Sequence, residues 1–125
     1  MSKNISLINL NGKGLKSAMT NFRIILSTVD TLPAAESIAQ ALVEDRLASC
    51  VNIVSGLRSI YRWKAEIQNE AEFLLIIKTS SEKSGEVIKK LVEIHPYELP
   101  EAVVLNIEDG YPPYLEWIAA ETKTS

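Results

Sequence analysis

Residues 72–78, with the sequence EFLLIIK, form the stretch that decides the fold. Five consecutive apolar residues predict a strand, and a strand places successive side chains on opposite sides of its sheet. Both sides of this strand are therefore apolar, with Phe73, Leu75 and Ile77 on one and Leu74 and Ile76 on the other. A strand of this kind needs cover on both faces of its sheet.

The segments around this strand alternate between strand and helix patterns. Three further strands are predicted: residues 23–29 (RIILSTV), one long strand over 50–64 with a bulge or bend at Ser55-Gly56, and residues 102–107 (AVVLNI). A polar turn at residues 68–70 joins the long strand to EFLLIIK as a β-hairpin.

Helices are predicted between these strands. The first begins after a Thr31 cap and ends near Ala48, and the second follows a Ser81 cap and stops at His95, because residues before a proline avoid the α region. Pro112-Pro113 opens a short last helix.

The order β, α, β, β, α, β is that of an α+β fold, the ferredoxin-like βαββαβ sandwich, here with an extra C-terminal helix. Right-handed crossovers put both long helices on one face of the antiparallel sheet, which leaves the other face bare. At about 25 cal/mol per Å², leaving its apolar side chains in water would cost several kcal/mol. We therefore expect the chain to self-associate through this face.

The composition is typical of one globular domain. The chain has 125 residues, 46% of them hydrophobic, and a net charge of −3. We expect a flexible N-terminal extension over residues 1–21, the folded domain over 22–121 and a short tail over 122–125. The first 29 residues hold four basic and no acidic side chains, so all 16 acids follow. Such an acidic body argues against a nucleic-acid partner.

Cys50 is the single cysteine, so no intrachain disulfide can form. A reducing compartment, the cytoplasm, is the natural expectation. Cys50 follows an apolar helix at the start of a strand, which favours a buried structural role. No apolar run approaches the roughly 18 to 20 residues that cross a bilayer, so we expect no membrane association.

Two short segments carry the chemistry. The first, HPYELPE at residues 95–101, holds an imidazole, a phenol and two carboxylates, Glu98 and Glu101, in a loop stiffened by prolines. His95 is the one histidine, a candidate copper or zinc ligand, or else a ring that hydrogen-bonds its own backbone or a neighbouring acid. Tyr97 and Glu98 follow it.

In the second segment, YRWK, strand alternation sets Tyr61 and Trp63 on one face and Arg62 and Lys64 on the other. The two aromatic side chains form either a ligand platform or an interface anchor. Lys78, at the end of EFLLIIK, points its charge either into a pocket or back to water. No residue pair shows the spacing of a nucleophile and its base, so we expect no enzymatic activity.

Four segments resemble the CutA divalent-cation-tolerance family, in the family's order and over residues 23–120. They are ALVEDRLASCVNIVSG (41–56), SIYRWKAEI (59–67), LLIIKT (74–79) and HPYELPE (95–101). The resemblance implies a ferredoxin-like homotrimer whose sheets pack around a threefold axis, with long hairpins that reach neighbouring subunits. It also implies a role in tolerance of divalent metals, especially copper, and a fold similar to that of the PII signalling proteins.

Copper sites in that family are thought to use a cysteine on the first strand and two adjacent histidines before the proline. The matching positions here are Ser27, Ile94 and His95, so one of the three ligands is retained. The resemblance therefore implies a divalent cation, copper or another, bound with low affinity.

The leading hypothesis is a trimeric metal-binding protein whose ligand cleft lies between the hairpin and the HPYE loop of adjacent subunits. Its candidate residues are Tyr61, Trp63, Lys78, Tyr97 and Glu98. One alternative is a PII-like sensor of a small molecule or anion, bound through Lys78 or Arg62, although no glycine-rich phosphate loop is present. The other is a non-catalytic scaffold whose output is the trimer itself.

Overall fold

A computed structural model describes residues 19–123 and gives the predicted order of elements. They are β1 (Phe22–Val29), α1 (Leu32–Glu44), β2 (Cys50–Trp63), β3 (Glu66–Ser80), α2 (Ser84–Ile94), β4 (Val103–Asn106) and α3 (Pro112–Glu121). The four strands form one antiparallel sheet in the order β2-β3-β1-β4. The predicted α+β class and antiparallel sheet are therefore confirmed, together with the extra C-terminal helix.

The core lies between one face of this sheet and helices α1 and α2. Alternate residues of β1 and β3 face it, because the side chains of a strand alternate across its sheet. Each helix adds its apolar stripe at three- and four-residue spacing. The fully buried apolar side chains of this layer include Ile25, Val29, Ile38, Leu42, Leu75, Ile77, Val87 and Leu91.

The hairpin turn is not where the sequence placed it. Residues 68–70 continue the ladder as part of β3, and the turn consists of Lys64 and Ala65, between the paired residues Trp63 and Glu66. Both turn residues have positive φ, 51° and 68°, as two-residue hairpin turns of the primed kind require. The prediction failed because polar side chains are tolerated on an exposed ladder, where backbone pairing decides the structure.

The first helix is shorter than predicted. It ends at Glu44, and Arg46 then adopts a positive φ of 58°. The amides of Leu47 and Ala48 both donate to the Leu42 carbonyl, so these two apolar residues stay in the core as part of a closing turn. Both residues are therefore buried although they lie outside the helix.

The predicted flexible extension lies mostly outside the described residues. Its last residues are anchored, since the Thr20 amide and hydroxyl both contact the Asn106 side chain, and the hydroxyl also donates to the Ile107 carbonyl. At the other end, Thr122 is 2% exposed and its hydroxyl donates to the Ile118 carbonyl. Thr122 therefore belongs to the folded domain rather than to the tail.

The second face of the sheet keeps apolar surface. Helix α3 contacts β3 and β1, but Ile24 and Leu26 of β1 remain only half-buried. On β4, Val103 and Leu105 are 47% and 44% exposed. Within residues 19–123, no helix has the length and apolar character needed to cross a bilayer.

Candidate ligand cleft

One cleft gathers most of the predicted site residues. It opens between the outer half of the β2–β3 hairpin, the end of β1 and the loop that follows α2, and its volume is about 480 Å³. This volume lies within the usual range of small-molecule sites. The lining residues are Thr28, Asp30, Ser59, Tyr61, Trp63, Glu70, Glu72, Tyr97, Glu98, Leu99 and Glu101.

A bulge in β2 determines which hairpin side chains share this cleft. Val54 pairs with Leu74, and Leu57 pairs with Glu72, so three steps along β2 match two along β3. The extra residue lies around Gly56, whose φ of +82° is one that glycine adopts without strain. The bulge predicted from Ser55-Gly56 is therefore present.

Because side chains alternate with a period of two, one extra residue reverses which residues share a face. Beyond the bulge, the odd-numbered Tyr61 and Trp63 of β2 lie on the same side as the even-numbered Glu70 and Glu72 of β3. If the register of Val54 and Leu74 continued unchanged along this sequence, the two aromatic rings and the two carboxylates would lie on opposite sides. The bulge thus brings them into one cleft.

His95 orients the loop that closes the cleft. Its amide ends α2 by donating to the Leu91 carbonyl. The Tyr97 amide donates to His95 Nδ1 over 3.0 Å, so the neutral ring carries its proton on Nε2, which donates to the Thr28 carbonyl over 2.8 Å. The ring is 7% exposed and lies edge-on to that of Tyr97, with centroids 4.7 Å apart. Both ring nitrogens therefore hold backbone in place.

Tyr97 in turn fixes a buried carboxylate. Its hydroxyl donates to Glu72 Oε2 over 2.6 Å, and Glu72 is 5% exposed. No basic side chain among the described residues forms an ion pair with Glu72. Burial, this hydrogen bond and the negative charges of Glu72 and Asp30 raise the pKa of Tyr97 far above that of a free tyrosine, so the phenol stays protonated.

The cleft is acidic. Five of its lining side chains are carboxylic acids and, of the residues described, none of those lining it is basic. Loss of solvent around its ring and the charges of Glu70, Glu72 and Asp30 raise the pKa of Tyr61 as well. Both shifts arise in part from a negative potential, which attracts cations and repels anions.

One ammonium group lies at the rim of the cleft. Lys64 Nζ is 3.6 Å from Glu98 Oε1 and 5.5 Å from the centroid of the Trp63 ring. The sequence placed Lys64 on the face opposite Trp63. The observed position of Lys64 differs from this prediction because Lys64 belongs to the turn, where positive φ ends the alternation of side chains along the strand.

Four of the five predicted cleft residues, Tyr61, Trp63, Tyr97 and Glu98, line this cleft. The hairpin and the loop that carry them belong to one chain, whereas the prediction took them from adjacent subunits. Lys78 does not line the cleft. Its Nζ lies 3.4 Å from the Tyr114 hydroxyl and 5.6 Å from the centroid of that ring, so the ammonium group contacts α3 and not the cleft. Arg62 is exposed and is not a lining residue either. The anion-binding alternative thus has neither of its two cations in this cleft.

The residues of the implied copper site offer little to a metal. A metal ion at His95 would have to displace one of the two hydrogen bonds of the ring. Ser27 is fully buried, and its hydroxyl has no hydrogen-bond partner in the described part of the chain. Cys50 is half-buried rather than buried, with Sγ 3.8 Å from Asn52 Oδ1. Across residues 19–123, no three His, Cys, Asp or Glu side chains are grouped to hold a metal.

The sequence-based prediction missed the acids of the cleft floor. Glu72 was seen only as the first residue of EFLLIIK, and Glu70 was assigned to the turn. The available signal was the bulge: shifting the hairpin register by one residue from Gly56 onward places both acids beside Tyr61 and Trp63. Asp30, which follows β1 directly, had no comparable signal.

Comparisons with known proteins agree with this fold. The family model described as "CutA1 divalent ion tolerance protein" matches residues 23–121. The crystal structure of CutA from Xylella fastidiosa superposes with a TM-score of 0.81 at 40% identity, over 83% of this chain and 100% of that one.

Relatives of known sequence agree as well. "Divalent-cation tolerance protein CutA" of Thermus thermophilus is 44% identical over 99 residues, which make up 79% of this chain and 96% of that protein. "Protein CutA, chloroplastic" of Arabidopsis thaliana is 36% identical over 100 residues, or 80% of this chain and 55% of that protein. The predicted resemblance is confirmed: the chain belongs to the CutA1 divalent ion tolerance family.

Proposed function

We propose that this chain is a homotrimeric, non-catalytic protein of divalent-cation tolerance that binds its cation in the acidic cleft. The observation that carries the proposal is the charge of the cleft, which five carboxylates line without a basic lining residue among those described. Glu72 is the central ligand, because its carboxylate is buried, held by Tyr97 and without an ion-pair partner among residues 19–123.

The cation keeps part of its water shell. Divalent cations that are held by one or two carboxylates complete their coordination with water. Weak oxygen-ligated sites have Kd values of about 10⁻⁴ to 10⁻³ M, and we expect the cleft to bind in this range. Copper is one candidate, with His95 as a second possible ligand position that would first have to give up a backbone hydrogen bond.

The trimer covers the second face of the sheet. The half-buried Ile24 and Leu26 and the exposed Val103 and Leu105 support self-association, since apolar area returned from water stabilises by about 25 cal/mol per Å². The number three rests on the family resemblance. Sedimentation equilibrium should give three times the mass of the chain, and Leu105→Glu should lower it. A native protein that stays monomeric at micromolar concentration would overturn this part.

A reducing compartment suits the free Cys50 thiol, and we propose the cytoplasm. The Arabidopsis relative is named as chloroplastic, and the chloroplast is the competing location. Fractionation of the source cells, followed by detection of the full chain, distinguishes the two.

Isothermal titration with Mg²⁺, Zn²⁺ and Cu²⁺ tests the cation site. Glu72→Gln keeps an acceptor for Tyr97 and removes the charge, so it should weaken binding about tenfold. Glu116→Gln makes the same change of net charge on the exposed part of α3 and should leave binding unchanged. Equal losses in both variants would show a general effect of charge and contradict the cleft as the site.

His95→Gln separates the two ligand positions. If copper binding is lost in this variant and retained in Glu72→Gln, the metal sits at His95 and the cleft assignment is wrong. If no cation binds the native protein above background, the trimer itself becomes the function, as in the scaffold alternative.

A further inference from the structure

The chain already places an organic ammonium at the rim of its own cleft. Lys64 Nζ lies between the face of the Trp63 ring, at 5.5 Å from its centroid, and the Glu98 carboxylate, at 3.6 Å. Trp63 and Glu98 line the cleft. The Lys64 side chain is 68% exposed, so its own position is held only weakly. An aromatic face paired with a carboxylate is how proteins recognise organic ammonium ions.

The same pairing of rings and carboxylates continues inside. Tyr61 and Tyr97 line the cleft together with Glu72, which is 5% exposed. The Tyr97 hydroxyl donates a hydrogen bond to Glu72 Oε2. The other oxygen, Oε1, has no hydrogen-bond partner among the described residues and is not among their fully buried atoms without a partner. Glu72, a buried carboxylate with no ion-pair partner among the described residues, therefore lines a cleft walled by three aromatic side chains and has one oxygen left for a ligand.

Aromatic walls favour an organic cation over a bare metal ion. A divalent metal gains most from several convergent ligands, and residues 19–123 contain no group of three arranged for one. An alkyl ammonium has a weaker hydration shell, gains from a cation–π contact, and buries its methylene groups against rings. Tyrosine is neutral at physiological pH, and the raised pKa of Tyr61 and of Tyr97 makes ionisation of either phenol still less favourable, so both hydroxyls are available as hydrogen-bond donors.

We propose that the cleft binds an alkyl diamine or polyamine, with one ammonium at Glu72 and the alkyl chain against Tyr61, Trp63 and Tyr97. This inference rests on the proposed cation-binding cleft and names its ligand class. Lys64 competes for the outer part of the site, since its ammonium already holds Trp63 and Glu98. The cleft volume of about 480 Å³ suits a ligand of this size.

The test is a titration of the full-length protein with 1,4-diaminobutane and spermidine, beside Mg²⁺ and Cu²⁺. Butane-1,4-diol, of similar length and without charge, is the matched control ligand. Binding is followed by calorimetry and by Trp63 emission in a Trp117→Phe background, where Trp63 is the one remaining indole. Both amines should bind, spermidine more tightly, and the diol should not.

Three variants locate the amine. Glu72→Gln should weaken diamine binding about tenfold, as expected for loss of a charged partner, and Trp63→Leu should weaken it about two- to fivefold. Lys64→Asn should tighten binding about two- to fivefold, because it removes the competing ammonium and asparagine tolerates the left-handed turn. Glu116→Gln serves as the charge-matched control and should bind as the native protein does. Sedimentation and circular dichroism confirm that each variant keeps the native assembly and fold.

The outcomes separate this inference from the proposed function. If divalent cations bind and depend on Glu72 while diaminobutane does not bind, the cation site stands and the ligand class is wrong. If diaminobutane binds and depends on Glu72 while no metal binds, the ligand class stands and the metal role falls. Diamine binding that is equal in the native protein and Glu72→Gln would overturn the inference, and an absence of all cation binding would overturn both.

Discussion

Replacing Tyr97 by phenylalanine removes one hydroxyl and leaves the ring in place, so it isolates the hydrogen bond to Glu72. The hydroxyl donates to Oε2 over 2.6 Å, and Glu72 is 5% exposed. A hydrogen bond to a charged acceptor contributes about 1.5 to 3 kcal/mol. Because Glu72 lines the cleft, water can replace part of the lost bond. We expect the free energy of unfolding to fall by about 1.5 kcal/mol, at the lower end of that range.

Urea unfolding at pH 7.5, followed by circular dichroism, measures this loss. One fixed protein concentration is required, since the stability of an oligomer depends on it. Combining Tyr97→Phe with Glu72→Leu removes the carboxylate that the first change leaves without a donor, so the two losses should overlap by about 1 kcal/mol. Tyr111→Phe removes the same atom from an exposed ring, 74% accessible, and should be neutral. Additive losses, or Tyr97→Phe within about 0.3 kcal/mol of the native protein, would refute the coupling.

Three further predictions follow from the fold. The pKa of Tyr97 is raised above the unfolded value of about 10, so the stabilisation by its protonated phenol is complete below pH 10 and is lost above it. In urea unfolding, the free-energy difference between the native protein and Tyr97→Phe should fall by up to about 1.4 kcal/mol per pH unit above pH 10. A difference that stays constant between about pH 9 and about pH 12 contradicts this. Ala65→Gly should raise the free energy of unfolding by about 0.5 to 1 kcal/mol, because Ala65 has a φ of 68°, whereas Ala71→Gly in the extended strand should lower it. Thr31→Ala should cost about 1 kcal/mol, since the Thr31 side chain accepts from the Ala34 amide at the start of α1, and Thr31→Ser should retain most of the stability in the same unfolding assay.

Most of the fold was predictable because its signals are local and repeated. The apolar alternation of residues 72–78 and the helical spacing after Thr31 each depend on neighbours along the chain. The turn at Lys64-Ala65 was not predictable from residue preferences, since neither residue favours positive φ. Its position follows from pairing across the whole hairpin, and the polar residues at 68–70 are a stronger local turn signal.

The site was predictable only in part, because it depends on residues that are distant in sequence. HPYELPE and YRWK were identified by their unusual side chains, and they do meet in the cleft. Lys78 was misplaced because its sequence position at a strand end does not reveal that Tyr114 of α3 lies beside it. The role of His95 was open between a ligand and a backbone partner; the structure gives both ring nitrogens backbone partners, and metal binding by His95 stays a prediction.

The bulge at Gly56 also has a consequence for how proteins of this fold can diverge. Deleting the single extra residue would leave the pairs from Leu57–Glu72 to Trp63–Glu66 in place, so Tyr61 and Trp63 would stay on the side of Glu70 and Glu72. The deletion would instead remove the bend and the added twist that a bulge gives its strand. A one-residue deletion there would therefore redirect the outer half of the hairpin, one wall of the cleft, with no substitution at all. The count of residues between Val54 and Leu57 thus bears on the angle at which the hairpin meets the loop at residues 95–101, while the pairing beyond it decides which side chains the hairpin presents.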